Sequence, residues 1–342
     1  MNCLKAMLVS ALVPVFNQEK YLSEFFLHFS LLKSLHLQVL FSDNRSTDQS
    51  REIIRKNLSN LRVLKAELSE QDINLGVVKN GEFLWQKCAT DYAFYAHPDD
   101  RYGAEFVSSC IRAFHDNSEV ILSMCQCKFM DEQGRPFIRE PKDTVLLDPR
   151  QMSRGASLQY FMYGTTGLFI YGIFNKKKID QLGIPLTKLS HHPFWEYPVI
   201  LACFLNGPVA AVPEAEFTYR LHINSAADSP HVDTHLTGPP VVTDGTPLYA
   251  HAARFIIRFW EIVDLYSPRG RWGKFMDKFW LLLGAWRSEG GSVNWYWRVK
   301  ESLWRDLWTF AKRSEWKEFL ILASFIPLKI RILRLLIKQR LF

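Results

Sequence analysis

The sequence predicts an α/β protein on a mostly parallel, doubly wound sheet, followed by a helical, aromatic-rich extension. Two observations carry the fold class. Short apolar runs alternate with stretches of helical period over the first 115 residues, as parallel sheets with crossover helices require. Several of those runs end in loops of Asp, Asn and Ser, the residue types an open α/β sheet presents at its carboxyl edge, where ligands bind. A third observation separates the extension. Nine of the eleven tryptophans lie between Trp260 and Trp316, and residues 251–342 hold 18 Lys and Arg against 8 Asp and Glu.

Leu8 to Asn17 is a buried strand closing in a polar loop. Tyr21, Leu22, Phe25, Phe26, Phe29 and Leu32 then recur at helical spacing. Gln38–Phe41 is a second strand, and Ser42 to Asp48 is rich in helix caps, with a helix through Ile53 and Ile54. Leu61–Leu64 is expected as a third strand. Asn74-Leu75-Gly76 turns into a helix through Phe83 and Leu84. Tyr92 to Ala96 is a strand ending in His97-Pro98-Asp99-Asp100, followed by a helix over 104–114. Val120–Met130 is a strand with a hairpin turn at 131–134, and 135–157 looks irregular. Strand and loop are expected around Phe169–Tyr171, a helix over 198–205, and separate strands at 209–212 and 217–222.

The domain expectation is a catalytic domain over 1–225, a flexible linker over 226–247 and a helical extension over 248–342. Residues 327–342 carry no acid. Ile332, Leu333, Leu336 and Ile337 share one helical face, with Arg331, Arg334 and Lys338 opposite, as on a helix lying in a membrane interface. No apolar run is long enough to span a bilayer, and no signal peptide is expected. Six sparse cysteines exclude a disulfide scaffold and suit reduced core thiols in a cytosolic setting. Tryptophan interleaved with Arg and Lys suits a lipid interface better than nucleic acid. A helical subdomain packed on the core is the competing explanation for 250–310.

The loops taken in order resemble a known family. Val13-Pro14-Val15-Phe16-Asn17, Asp43-Asn44-Arg45-Ser46-Thr47-Asp48, Asn74-Leu75-Gly76 with Asn80, and His97-Pro98-Asp99-Asp100 are similar to the ordered motifs of family 2 glycosyltransferases, which have the GT-A (Rossmann-like) fold. Glu196, Gly207, Val212-Pro213-Glu214 and Tyr219-Arg220-Leu221-His222 resemble that family's acceptor-side block, so the resemblance spans about 8–225.

The resemblance implies inverting transfer of a sugar from a nucleotide-sugar donor, UDP-linked by preference, to a glycan or lipid-linked saccharide; the amphipathic 327–342 segment adds the expectation of a cytoplasmic protein peripheral on the inner face of the membrane. It places Pro14, Phe16, Asn17, Asp43, Asn44, Asn74, Lys79 and Asp99 around the donor. Phe16 stands where the family usually has tyrosine, facing a nucleobase, with core packing as the equal alternative. Asp43 would accept from a uracil-like imide, and Lys79 would meet a phosphate, with an ordinary solvated helix lysine as the stronger alternative. Mn²⁺ or Mg²⁺ on the diphosphate would be held by Asp99, with His222 and His97 as further ligands and a structural strand-end histidine as the equal alternative for His222. His97 departs from the family's Asp-x-Asp-Asp pattern. Glu196 is the candidate base, with helix capping as its alternative.

Two other functions fit less well. A nucleotidyltransferase would want a glycine-rich phosphate loop after the first strand, and residues 14–24 contain no glycine. A non-catalytic, degenerate sugar-nucleotide or membrane-docking module draws its support from His97.

Overall fold

The computed structural model describes residues 7–32, 36–137, 147–163, 166–183, 196–221 and 259–287. The chain divides into two compact units. The first holds 1–152 and 167–223, and the second holds 153–166 and 224–342.

The first unit begins with β1 (Val9–Val15), α1 (Glu19–Phe29), β2 (Leu37–Asp43), α2 (Ser50–Asn57), β3 (Lys65–Glu70), α3 (Val77–Lys87) and β4 (Tyr92–Tyr95). β5 (Arg101–Tyr102), α4 (Phe106–Asp116), β6 (Leu122–Met130) and β7 (Pro136–Phe137) follow. The order of the described strands is β3-β2-β1-β4-β8-β6-β9-β5, with β7 paired to β6. Here β8 is Ile173–Asn175 and β9 is Val209–Arg220; α6 (Lys176–Gln181) and α7 (Glu196–Asn206) lie between them. The long ladders, β1–β2, β2–β3, β1–β4 and β6–β9, are parallel, while the antiparallel pairings are two residues each. This is the expected mostly parallel, doubly wound sheet.

Apolar runs made the core strands. β1 and β2 are buried almost throughout, as strands covered on both faces must be. The α1 stripe lays Phe25, Phe26 and Phe29 on β2 and β4, with Phe25–Phe29 and Phe26–Phe41 stacked at 4.6 and 5.6 Å between centroids. Phe29 also stacks on Phe94 at 6.5 Å. Cys88, Cys110, Cys125 and Cys203 are buried free thiols, as expected of core cysteines.

Four expectations differ. The third strand is Lys65–Glu70, not Leu61–Leu64. It is an edge strand, half-exposed on both faces, so it lacks the apolar run that marks a covered strand. The two strands expected at 209–212 and 217–222 are one strand, β9. Its register against β6 jumps from Val212 to Glu216, so Pro213, Glu214 and Ala215 form a bulge that accommodates a proline without an N–H. Residues 154–163 are helical (α5, Arg154–Tyr163), and Thr166–Tyr171 is a 3₁₀ turn rather than a strand.

In the second unit, α5 lies with α8 (residues 259–266) and α9 (Arg271–Arg287). Asp277 is fully buried on α9. It accepts from Arg154 through both oxygens (2.8 Å each), from Arg269 Nη1 (2.9 Å) and from Ser267 Oγ (2.9 Å). No helix among the described residues is long and apolar enough to cross a membrane. The 226–247 linker and the 327–342 amphipathic segment lie outside the described residues.

Candidate donor site at the sheet switch point

β2 lies on one side of β1 and β4 on the other, so the strand order reverses at β1. In open α/β sheets the crevice at the carboxyl ends of such strands holds the ligand. Pairing of β1 with β4 stops at Leu12–Tyr95, with one more bond from Ala96 N to the Leu12 carbonyl. Pro14, half-buried and opposite Ser42 on the β2 side, lies just past that end, where β4 asks for no donor.

The ends of β1 and β2 are level, Val15 opposite Asp43. Past β1, Phe16 is 43% exposed, so core packing is not its role. Asn17 takes a left-handed conformation (φ 52°), which asparagine tolerates. Its N–H donates to Ser46 Oγ (3.0 Å), and its Oδ1 accepts from the Thr47 N–H (2.9 Å). The two following helices cap one another. Asp48 accepts from the Glu19 N–H (3.0 Å), Glu19 from the Gln49 N–H (2.9 Å), and Ser50 Oγ from the Gln18 N–H (2.8 Å). The capping expectation for this loop therefore holds, and it leaves Asp43 to face another way.

Asp43 is fully buried at the end of β2. Its Oδ2 accepts from the Ser46 N–H (3.1 Å) and lies 3.2 Å from Arg51 Nε. Its Oδ1 is buried with no hydrogen-bond partner among the described residues. A buried carboxylate oxygen left unpaired costs free energy unless a ligand supplies the donor.

Asn44 is buried and spends its amide on the loop before α3. Nδ2 donates to Asn74 Oδ1 (2.8 Å), and Oδ1 accepts from the Leu75 N–H (2.7 Å). Asn74 Oδ1 also accepts from the Gly76 N–H (2.8 Å), and Asn80 grips Ser42 through its hydroxyl (2.6 Å) and carbonyl (3.1 Å). Asn44, Asn74 and Asn80 are thus loop braces. The first turn of α3 carries no acid, and Lys79 is exposed on it without an ion pair to any described residue. A helix start of this kind favours an anion.

The tip after β4 is the other wall. The His97 N–H donates to Tyr102 Oη (3.1 Å), and its ring meets Tyr171 edge-on at 5.5 Å. Burial lowers the His97 pKa, with Asp99 opposing, so the imidazole is neutral and keeps a lone pair. Asp99 is half-buried and Asp100 buried. Burial and then the Asp99 charge push the Asp100 carboxyl well above its ordinary range, against the pull of Arg220. Asp100 Oδ1 accepts from the Arg220 N–H (2.9 Å); Oδ2 is buried with no described partner.

Hydrogen bonds thus brace Asn17, Asp43, Asn44 and Asn74 as one wall, with Phe16 exposed just past β1. Asp99 is anchored to β9 through its carbonyl, which accepts from Arg220 Nε (2.7 Å). Glu196 opens α7, its side chain outside what the structure describes; His222 lies outside the described residues altogether. Among the described residues no three His, Cys, Asp or Glu side chains gather as a metal site. His97 and Asp99 fit a share of one: a neutral nitrogen and a carboxylate beside a second, crowded acid. Sequence reasoning missed Arg51, Glu24 and Arg220. Only Arg220 had a signal, its place in the Tyr219–His222 block.

The glycosyl transferase family 2 model matches residues 10–176. No curated protein matches the sequence. Solved structures of S. aureus TarS do match. The 1–349 fragment is 13% identical, with 93% of this chain and 91% of that chain covered at a TM-score of 0.60. The same fragment with UDP-GlcNAc gives 14%, 93%, 91% and 0.59. With UDP it gives 13%, 87%, 74% and 0.58. At such identities the likeness is one of fold. The chain carries a glycosyl transferase family 2 domain over residues 10–176 on a GT-A fold, and it is a glycosyltransferase.

Proposed function

We propose that this glycosyltransferase uses a UDP-linked sugar and transfers it, with inversion, to a hydroxyl of a glycan or lipid-linked saccharide. The observation that carries the donor is Asp43 Oδ1, a buried acceptor without a described partner, at the switch point beside exposed Phe16. A uracil ring stacked on Phe16 offers one imide N–H, which that oxygen would accept. TarS fragments of this fold bind UDP and UDP-GlcNAc, which supports the same donor class here.

Asp99, with His97 and His222, would hold Mn²⁺ or Mg²⁺, which when bound neutralises the leaving diphosphate. Lys79, on the acid-free first turn of α3, adds a cation for phosphate. Glu196 takes the proton of the acceptor hydroxyl as it attacks, and one displacement inverts the anomeric carbon. Residues 327–342 would rest on the inner face of the membrane and bring the domain to a lipid-linked acceptor. His97, in place of an aspartate, is the feature that favours the alternative of a non-catalytic sugar-nucleotide module.

The test is a transfer and hydrolysis assay over a panel of UDP-, GDP- and dTDP-sugars with Mn²⁺ or Mg²⁺. Turnover confined to UDP-sugars is expected. No turnover with any donor, together with retained UDP binding, would move the assignment to the non-catalytic module.

A further inference from the structure

The backbone of the acid tip is held by a buried arginine. Arg220 ends β9 and is 3% exposed. Besides its bonds to the Asp100 carboxylate and the Asp99 carbonyl, its Nη1 donates to the carbonyls of Glu132 (3.1 Å) and Asp131 (3.4 Å). Its Nη2 donates to both carboxylate oxygens of Glu24 on α1, at 2.9 Å each. The guanidinium also lies over the Tyr21 ring, 5.2 Å from its centroid. Glu24 in turn accepts from Arg101 Nε, the residue after Asp100. Burial works against the Glu24 charge, but the Arg101 hydrogen bond and the Arg220 charge prevail and hold its carboxyl below the usual range.

One guanidinium therefore joins four pieces of chain: α1, the turn between β4 and β5, the hairpin between β6 and β7, and the end of β9. An arginine serving only the hairpin would need the two hairpin carbonyls alone. This one directs a main-chain and a side-chain donor at two consecutive residues, Asp99 and Asp100, and brings its own half-buried counter-ion.

We infer that Arg220, with Glu24 as counter-ion, is the positioning residue for the diphosphate end of the donor site. It fixes the turn on which the Asp99 carboxylate is carried, so that the carboxylate meets the metal without first ordering the loop. The inference rests on the metal assignment proposed above. Neither Arg220 nor Glu24 touches the base end of the crevice, so the two ends are separable by experiment.

The experiment is calorimetric UDP binding with and without Mn²⁺, on the full chain and on Arg220→Met, Arg220→Lys and Glu24→Gln, with thermal midpoints measured alongside. Metal-free UDP binding should stay within about twofold of wild type, because Phe16 and Asp43 are untouched. The gain in affinity on adding Mn²⁺ should shrink about tenfold or more in Arg220→Met, the scale seen when groups that orient metal ligands are removed. Arg220→Lys keeps one charge for Glu24 but not the fork, and should fall between. A folded Arg220→Met with the full Mn²⁺ gain overturns the inference. If that variant does not fold, Glu24→Gln decides, since Glu24 is about one-third exposed and Gln keeps an acceptor; a full Mn²⁺ gain there overturns it equally. A wild-type chain without any Mn²⁺ gain overturns the metal assignment itself, and this inference with it.

Discussion

Replacing Asp43 by asparagine probes the base end of the donor site with little change of shape. In the folded chain Oδ2 is engaged by the Ser46 N–H and Arg51, while Oδ1 is buried and unpartnered among the described residues. Asparagine can keep the Ser46 contact with its carbonyl oxygen, and it then turns an NH₂ toward the imide N–H of a bound uracil. A hydrogen bond to a charged acceptor contributes about 1.5–3 kcal/mol, so UDP affinity should fall about tenfold to a hundredfold. Isothermal titration with UDP and with N3-methyl-UDP reads this directly. Wild type should discriminate strongly against the methylated nucleotide, and Asp43→Asn should discriminate little. A folded Asp43→Asn protein with a UDP Kd within about twofold of wild type would refute the imide contact. So would a wild type indifferent to N3-methylation.

Phe16→Ala removes an exposed ring, so its thermal midpoint should hardly move while UDP affinity drops by the value of one base stack, about 1–3 kcal/mol; equal affinity in titration would remove Phe16 from the site. Glu196→Gln should lower kcat by about 10²–10⁴-fold with donor KM little changed, read in the transfer assay against the best UDP-sugar. Asp277→Asn leaves the part-exposed Arg154 and Arg269 facing a neutral amide on α9, and losing a buried charged acceptor of their hydrogen bonds costs about 1.5–3 kcal/mol, measurable by denaturant unfolding. The same pair sets an acid limit. Burial opposes the Asp277 charge, but the Arg154 hydrogen bond and charge, with Ser267 and Arg269, prevail and hold its pKa below the ordinary value. A depressed folded pKa means this stabilisation is full above the unfolded pKa of about 3.9 and is lost as pH falls through the folded value. Wild type should therefore lose stability over that window more steeply than Asp277→Asn.

What the sequence showed followed what its physics makes periodic. β1 and β2 are covered on both faces and appear as unbroken apolar runs, and the α1 stripe repeats at helical spacing. β3 carries Lys65, Glu67 and Glu70 on an exposed edge, so the more apolar segment before it drew the strand assignment instead. α5 hid because Gly155 and its aromatics break any clean stripe; a Cβ at Gly155 would stand 2.7 Å from Trp280. A proline inside β9 looked like a strand end, although a bulge absorbs it. The crevice residues were legible because polar residues cluster where strands stop. The exposure of Phe16, and which oxygen of Asp43 the loop leaves unused, are visible only in the structure. Arg220 and Glu24 are 196 residues apart in sequence, and nothing local in either segment announces their contact.

The most direct test of the account is a crystal structure of the protein with UDP and Mn²⁺. The account predicts the uracil on Phe16 with its N3 within hydrogen-bond distance of Asp43 Oδ1, and the metal on the diphosphate with Asp99 among its ligands. A nucleotide bound away from the ends of β1 and β2, or a metal bound without Asp99, would contradict it.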